Sequence, residues 1–202
     1  YHTHISNSDY YESNTIGTKT NFNFGSLGLV AVRNLTKAGK WKSTAFSIGI
    51  NRTFNYNQST TIQGSGVPSS ILDDYENILR ENNVSWTDFQ SDYPAYPYDL
   101  FLAWNNYLVD TTSGGADFFN ASGLLPNDQT YISEVSGSKR ETVFNFGGNY
   151  NDKWYFGVGL IFARNSRTFQ YAYREVFDET DTTTALSRFT YEFAEKIYGN
   201  GT

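Results

Sequence analysis

Few side chains in this chain carry reactive chemistry, and their spacing limits what they can do. His2 and His4 lie two residues apart near the N-terminus. Imidazoles bind metals, but a closed site needs more ligands and none stands near, so the pair reads as loop histidines. Asp73, Asp74 and Glu76 offer the oxygens that a hard cation such as calcium takes, as do Asp178, Glu179 and Asp181. The first trio sits in a stretch with helical spacing and reads as a solvated helix face; the second reads the same way. Serines are plentiful, yet no Gly-x-Ser-x-Gly elbow organises them. A nucleophile needs a base in reach, and His2 and His4 are the only histidines. Cysteine is absent, which excludes disulfides and thiolate metal sites. The expectation is a non-enzyme with no catalytic residue, no metal site and no cofactor.

The residues better suited to binding are apolar and lie in an acidic stretch. Between residues 59 and 141, twelve Asp and Glu face only Arg80, Lys139 and Arg140, a balance of −9 in a chain whose total is −6. The same stretch holds Trp86, Phe89, Phe101, Trp104 and Tyr107, with aliphatic residues between them. Apolar rings at this density suit either a small core or a pocket for a hydrophobic ligand. These five are the candidate ligand-binding residues. The acidic surroundings favour a neutral ligand over an anion, because like charges repel. The net negative charge also argues against nucleic acid as a partner.

The elements that would position this stretch read as β-strands. In Glu141–Tyr150, Phe144, Phe146 and Tyr150 share one parity, and Asn145, Gly147 and Asn149 the other. In Trp154–Arg164, Trp154, Phe156, Val158, Leu160 and Phe162 alternate with Gly157, Gly159 and Ala163. Asn151-Asp152-Lys153 joins the two segments. Successive strand residues face opposite sides, so this is a hairpin with one apolar face and one small or polar face. Trp41–Asn57 alternates in the same way, with Phe46, Ile48 and Ile50 in phase and Phe54 and Tyr56 continuing it. Residues 21–33 form a further strand, and Tyr1–Thr20 reads as loop. A helix is expected from Ser69 or Ser70 through Leu79, capped by the serine, and a second over Tyr98–Val109. Phe169, Tyr171 and Tyr173 fall on the parity opposite to Trp154–Phe162, which predicts a bulge near residues 165–167. Asp178–Thr184 reads as a loop tip, and 185–198 suits strand or helix.

Aromatic residues make up 18% of the chain, yet its mean hydropathy is −0.52. Many rings in a hydrophilic chain, set at strand ends and alternating with Gly and Asn, suit a transmembrane β-barrel. No run approaches the roughly 18 apolar residues that mark a transmembrane helix. No basic-then-apolar leader is seen, which predicts a mature or trimmed chain. Connections alternate between short (34–40, 151–153) and long (beyond eighty residues). Outer-membrane barrels have short periplasmic turns and longer extracellular loops, so the acidic insertion should lie outside. The expected fold class is all-β: an antiparallel transmembrane barrel with long, partly helical extracellular loops. Residues 1–202 would form one partial barrel domain, and 59–139 its extracellular helical insertion. Four or five strands cannot close, since the smallest such barrels have about eight, so the chain reads as a piece of a larger barrel.

The segments Phe46-Ser-Ile-Gly-Ile-Asn-Arg-Thr-Phe-Asn-Tyr-Asn57 and Phe144-Asn-Phe-Gly-Gly-Asn-Tyr-Asn-Asp-Lys-Trp-Tyr-Phe-Gly-Val-Gly159 resemble the FadL/TodX outer-membrane transport family. The likeness is closest to members from Bacteroidetes-type bacteria, and Leu102-Ala-Trp-Asn-Asn-Tyr-Leu-Val-Asp110 shares it. The resemblance covers roughly residues 20 to 175 and implies a 14-stranded barrel about twice this long, with a plugging hatch. It also implies uptake of hydrophobic small molecules, of fatty-acid or aromatic-hydrocarbon type, released sideways into the membrane. The family's hatch and Asn-Pro-Ala signature do not occur in this sequence. Partners would be membrane lipids and the hydrophobic ligand. A type IX secretion shuttle protein shares the fold, so docking to other outer-membrane proteins is the alternative.

Overall fold

A computed structural model describes residues 2–35, 39–82, 87, 96–112, 115, 117–122, 126–177 and 186–201. Ten strands and two helices are seen among them. They are β1 (His2–Tyr10), β2 (Ser13–Asn21), β3 (Ser26–Asn34), β4 (Trp41–Asn55), β5 (Gln58–Val67), α1 (Ile71–Glu81), α2 (Tyr98–Asn105), β6 (Val109–Thr111), β7 (Phe118–Asn120), β8 (Asn127–Tyr150), β9 (Trp154–Val176) and β10 (Arg188–Gly201). The architecture is mostly antiparallel sheet, as expected of an all-β chain. The main sheet runs β10-β9-β8-β4-β3, with β5 beside the first half of β8. The described strands form an open sheet and no closed barrel.

Two strands are far longer than their alternating segments. The hairpin read from Glu141 to Arg164 is the base of β8 and β9, which span 24 and 23 residues. Their pairing is unbroken from Asp128↔Val176 to Tyr150↔Trp154. The bulge expected near 165–167 is therefore absent, and the change of parity in β9 means that its rings change sides of the sheet. β4 and β5 run end to end along β8, so the insertion starts and ends later and earlier than 59–139: β5 and the first part of β8 belong to the sheet.

The sheet's two sides can be followed strand by strand. On the front, Phe46, Ile48 and Ile50 of β4 lie beside Phe146, Phe144 and Thr142 of β8, and these beside Val158, Leu160 and Phe162 of β9. Leu27 and Leu29 of β3 extend the rows. The next row is Arg52, Arg140 and Arg164, in direct register. Beyond it the apolar residues stand on the back: Val135 and Tyr131 of β8, Phe169, Tyr171 and Tyr173 of β9, and Phe193, Tyr191 and Phe189 of β10. In β4 the crossover is made by a real bulge between Arg52 and Phe54. It turns Phe54 and Tyr56 to the back, so they do not continue the phase of Phe46–Ile50. Tyr56 Oη there donates to Asn165 Oδ1 at 2.9 Å.

Tyr1–Thr20, read as loop, contains the β1–β2 hairpin, closed by Tyr11 and Glu12, both with positive φ. Neither face is apolar, so no period was visible. The hairpin leans on β5: Ser6 Oγ donates to the Ser59 carbonyl at 3.0 Å, and Lys19 pairs with Glu134 at 3.1 Å. β3 begins at Ser26, after Phe22–Gly25 separate it from β2. The stretch left open at 185–198 is β10 from Arg188 on.

At the opposite end, Asn151 and Asp152 take positive φ to close the β8–β9 hairpin. Trp41 packs edge-on against Tyr150 and Phe156 at 5.6 and 5.3 Å. These rings fold over Gly148, where a Cβ would lie 2.7 Å from Phe156 and 2.8 Å from Trp41. Only glycine leaves that space.

The buried core lies in the insertion. Leu72, Tyr75 and Leu79 of α1 follow the three-four spacing of one helix face and meet Leu100 and Ala103 of α2, with Val109 and Phe118 of the β6–β7 pair. Ser70 caps α1, donating its N–H to Asp73 Oδ2 at 2.8 Å and accepting from the Leu72 N–H at 3.1 Å. α2 stops at Asn105, four residues before the expected Val109. No described helix is long and apolar enough to cross a membrane.

Candidate functional site

The insertion docks on the back of the sheet, over the aromatic rows of β9 and β10, and its anchor is Glu175. This residue lies on the back of β9, opposite Gln129 and Phe189, and is wholly buried. Five donors surround its carboxylate. Ser70 Oγ reaches it at 2.6 Å, the Ile71 N–H at 2.8 Å, Asn127 Nδ2 at 2.9 Å, Gln129 Nε2 at 3.5 Å and Tyr173 Oη at 2.6 Å. Two of the donors open α1, where the helix dipole favours a negative charge. Burial raises the Glu175 pKa above the ordinary carboxylate value, while the bonds from Ser70, Tyr173 and Ile71 pull it down. The carboxylate thus bolts the first turn of α1 to the sheet.

Beside this bolt, a cavity of about 370 Å³ opens between the insertion and β9–β10. Ile71, Leu72, Leu102 and Leu108 line one side, and Tyr173, Phe189 and Tyr191 the other. Its polar feature is a pair: Tyr75 Oη donates to Asp99 Oδ2 at 2.8 Å. The Tyr75 pKa is raised by burial first and by Asp99 second; that of Tyr191 is raised by burial, then by its bond with Tyr171. Both phenols therefore stay neutral. The cavity offers apolar walls, the carboxylates of Asp99 and Glu192, the guanidinium of Arg188 and neutral hydroxyls. It suits an uncharged, largely apolar molecule that can donate a hydrogen bond.

The three described candidate residues, Phe101, Trp104 and Tyr107, do not line it. Trp86 and Phe89 lie outside the described residues. Phe101 and Trp104 pack against the insertion's own core, with the Trp104 ring 6.1 Å from that of Phe118. Tyr107 stands in the turn after α2 with a φ of 57° and is 77% exposed. Helix geometry explains this: Phe101 and Trp104 lie three apart on one side of α2, and Leu102 on another, facing the cavity. The cavity's sheet side was missed because Tyr173 was read only as a strand residue and Tyr191 lay in a stretch that suited strand or helix. Their signal was the odd parity of Phe169–Tyr173.

The other candidates resolve as structure. Asp73 and Glu76 accept from Asn120 Nδ2 at 3.0 and 2.6 Å, tying α1 to β7. Arg80 pairs with Glu76 at 2.7 Å and with Asp117 at 2.8 Å. His2 and His4 belong to β1, opposite Asn21 and Lys19. Among the described residues no group of three His, Asp or Glu could hold a metal ion. Asp178, Glu179 and Asp181 lie outside the described residues. Comparison with protein-family models, curated proteins and solved structures found no match.

Proposed function

We propose that this chain is part of an outer-membrane β-barrel that takes up hydrophobic small molecules, with the helical insertion as a cap turned inward over the mouth. The observation that carries this reading is the change of apolar side at one row. Below Arg52, Arg140 and Arg164, the rings and aliphatic chains stand on the front, with no described element packed over them: Phe156, Val158 and Leu160 are 44%, 60% and 60% exposed. Above that row, the rings stand on the back, where Tyr131, Phe169, Tyr171, Tyr173, Phe189 and Tyr191 are half-buried and Phe54 and Phe193 stay exposed. A sheet in water has no reason to leave three adjacent strands apolar on an uncovered side over one length and to reverse them over the next. A sheet rising out of a bilayer does. Hydrocarbon covers the outer side of the lower part, and water requires the upper part to turn its apolar side inward.

The dimensions agree. From Trp154 to Arg164 is about 33 Å of strand at about 3.3 Å per residue. At a tilt of about 40° that is about 25 Å of height, close to the apolar band of such barrels. The lower edge carries Trp41, Tyr150 and Trp154, as an aromatic girdle would. The short turn at 151–153 then faces the periplasm and the cap faces outward. The back of the lower part, with Gly147, Gly157, Gly159 and Asn145, lines the lumen.

The cap cavity is the landing site in this reading, and Asp99 and Glu192, against the one cation Arg188, tilt it towards neutral ligands over fatty-acid anions. Leu102→Trp tests it, because the side chain faces the cavity from a half-buried position outside the cap's core. In whole cells expressing the protein, the variant should lower uptake of a neutral naphthylamine dye at least about tenfold, with normal amounts of protein in the outer membrane. Unchanged uptake refutes the cavity as the ligand site. Unchanged uptake with loss of a co-purifying outer-membrane protein would favour a docking role instead.

A further inference from the structure

We propose that the row Arg52, Arg140, Arg164 binds the phosphate of an outer-leaflet lipid, and that the apolar cleft beside it takes one of that lipid's acyl chains. The proposal rests on the membrane reading above. In register across β4, β8 and β9, the three side chains rise from neighbouring strands on the front. Like charges directly opposite one another destabilise a sheet. Among the described residues no ion pair offsets them: the pairs seen involve Lys19 and Arg80, and none reaches this row. Arg52 Nη1 is buried with no hydrogen-bond partner. Arg140 Nε donates to Ser138 Oγ at 3.1 Å, which fixes its fork. The three guanidinium groups line one hollow of about 520 Å³ with Ser138, Ser166 and Asn57, all neutral. A chain of net charge −6 thus gathers three unneutralised cations at one height.

A second hollow, also about 520 Å³, adjoins the first and shares Arg52 and Arg140 with it. Its other walls are Phe22, Phe24, Leu27 and Ile50, with Asn23 and Ser26 between them. Phe22 and Phe24 are 71% and 79% exposed, and they pack edge-on at 5.5 Å where β2 gives way to β3. Arginine grips phosphate through paired charge-assisted bonds. An anion above and an apolar slot below is the shape of a phospholipid or a phosphorylated glycolipid. Free phosphate would use the arginines and leave the slot without purpose. The row also lies one step above the last apolar row, Ile50–Thr142–Phe162, where the head groups of the leaflet would stand.

The test uses the protein purified from outer membranes in neutral detergent. Binding is measured by native mass spectrometry with three probes: bis-phosphorylated lipid A, the same lipid without phosphates, and inorganic phosphate. The phosphorylated lipid should bind at least tenfold more tightly than either of the others. Arg140→Ala with Arg164→Ala should remove that preference. Arg140→Lys with Arg164→Lys, which keeps the charge but not the fork, should keep part of it. Phe22→Ala with Phe24→Ala should weaken lipid without affecting phosphate. Equal binding of the two lipids overturns the proposal, and so does phosphate binding as tightly as the phosphorylated lipid. Insertion into phosphatidylcholine vesicles separates the two levels. A protein that inserts but shows no phosphate preference leaves the membrane reading standing without the lipid site. A protein that does not insert removes both.

Discussion

Arginine scanning along the front of β9 gives the most direct measure of what covers it. Val158 lies four residues above Trp154 and six below Arg164. With about 3.3 Å per residue and a tilt of about 40°, it stands about 10 Å above the lower girdle and about 15 Å below the arginine row. That is within a few Å of the middle of the band. Val158→Arg should therefore cost about 2–4 kcal/mol in a bilayer, the range for a lipid-facing arginine at the midplane. Phe162, one row below Arg164, lies about 5 Å from the boundary, where the arginine penalty falls to about 0–1 kcal/mol. Gly157→Arg serves as the control on the back: a Cβ there comes no nearer than 3.7 Å to the Phe146 carbonyl, so the residue fits. It should cost less than Val158→Arg by at least about 2 kcal/mol. The assay is urea unfolding of protein folded into phosphatidylcholine vesicles, followed by tryptophan fluorescence. In water, an arginine at an exposed position would change stability by no more than about 0.5 kcal/mol. Equal small costs at Val158 and Gly157 would refute the argument from the uncovered front, and the change of side at the arginine row would then need another cause.

Three further outcomes follow from the cap and its placement. Glu175→Ala strands several buried donors, at about 1–3 kcal/mol each, so helical circular dichroism should be lost before the sheet signal on urea titration. Since burial holds the Glu175 pKa above its ordinary value of 4.5, the folded cap binds a proton more readily than the unfolded one. The contribution of Glu175 to cap stability should be greatest below pH 4.5 and fall as pH rises through the raised pKa, and Glu175→Gln should abolish that part of the dependence. A rise in stability over that window would contradict the assignment. Labelling intact cells with an impermeant maleimide should mark Tyr107→Cys and spare Asp152→Cys; the reverse would invert the topology.

The base of the β8–β9 hairpin was legible because its residues alternate in type at the strand period, and α1 because Leu72, Tyr75 and Leu79 follow the helical one. The upper halves of β8 and β9 were harder. Residues 127–140 alternate Gln, Tyr, Ser and Val against Asp, Thr, Ile and Glu, which differ too little in polarity to show a face. The pattern in β9 was visible as a parity change, but two mechanisms produce one. A bulge keeps the apolar residues on the same side, and unbroken pairing moves them to the other. Only the partner strand distinguishes these, and the partner's own signal was weak. The same limit misassigned β4, where the parity is constant and the bulge real. The arginine row was hidden for a related reason: Arg52, Arg140 and Arg164 are distant in sequence and meet only through register. Glu175 gave little local sign, because all its partners but Tyr173 are distant in sequence: Ser70, Ile71, Asn127 and Gln129.

The long strands and the helical insertion are two parts of one requirement. Strands that cross a bilayer need about 9–11 residues, and β8 has 24. The excess places Tyr131, Tyr171, Tyr173, Phe189, Tyr191 and Phe193 above the arginine row. In the proposed barrel, an aromatic wall there gains nothing from lipid and must find protein cover. Its back is the side on which the described residues supply one. The insertion between β5 and β8 is the segment that reaches it, and Glu175 fixes it by the first turn of α1, from the same strand that carries the wall. A ligand-sized gap remains where cap and wall meet beside Tyr75 and Asp99. Had the overhang existed only to raise loops above the surface, its polar residues would face both ways and no carboxylate would need burying. A buried, fully bonded Glu175 is costly unless the position of the cap matters, and the site that depends on that position is the cavity next to it.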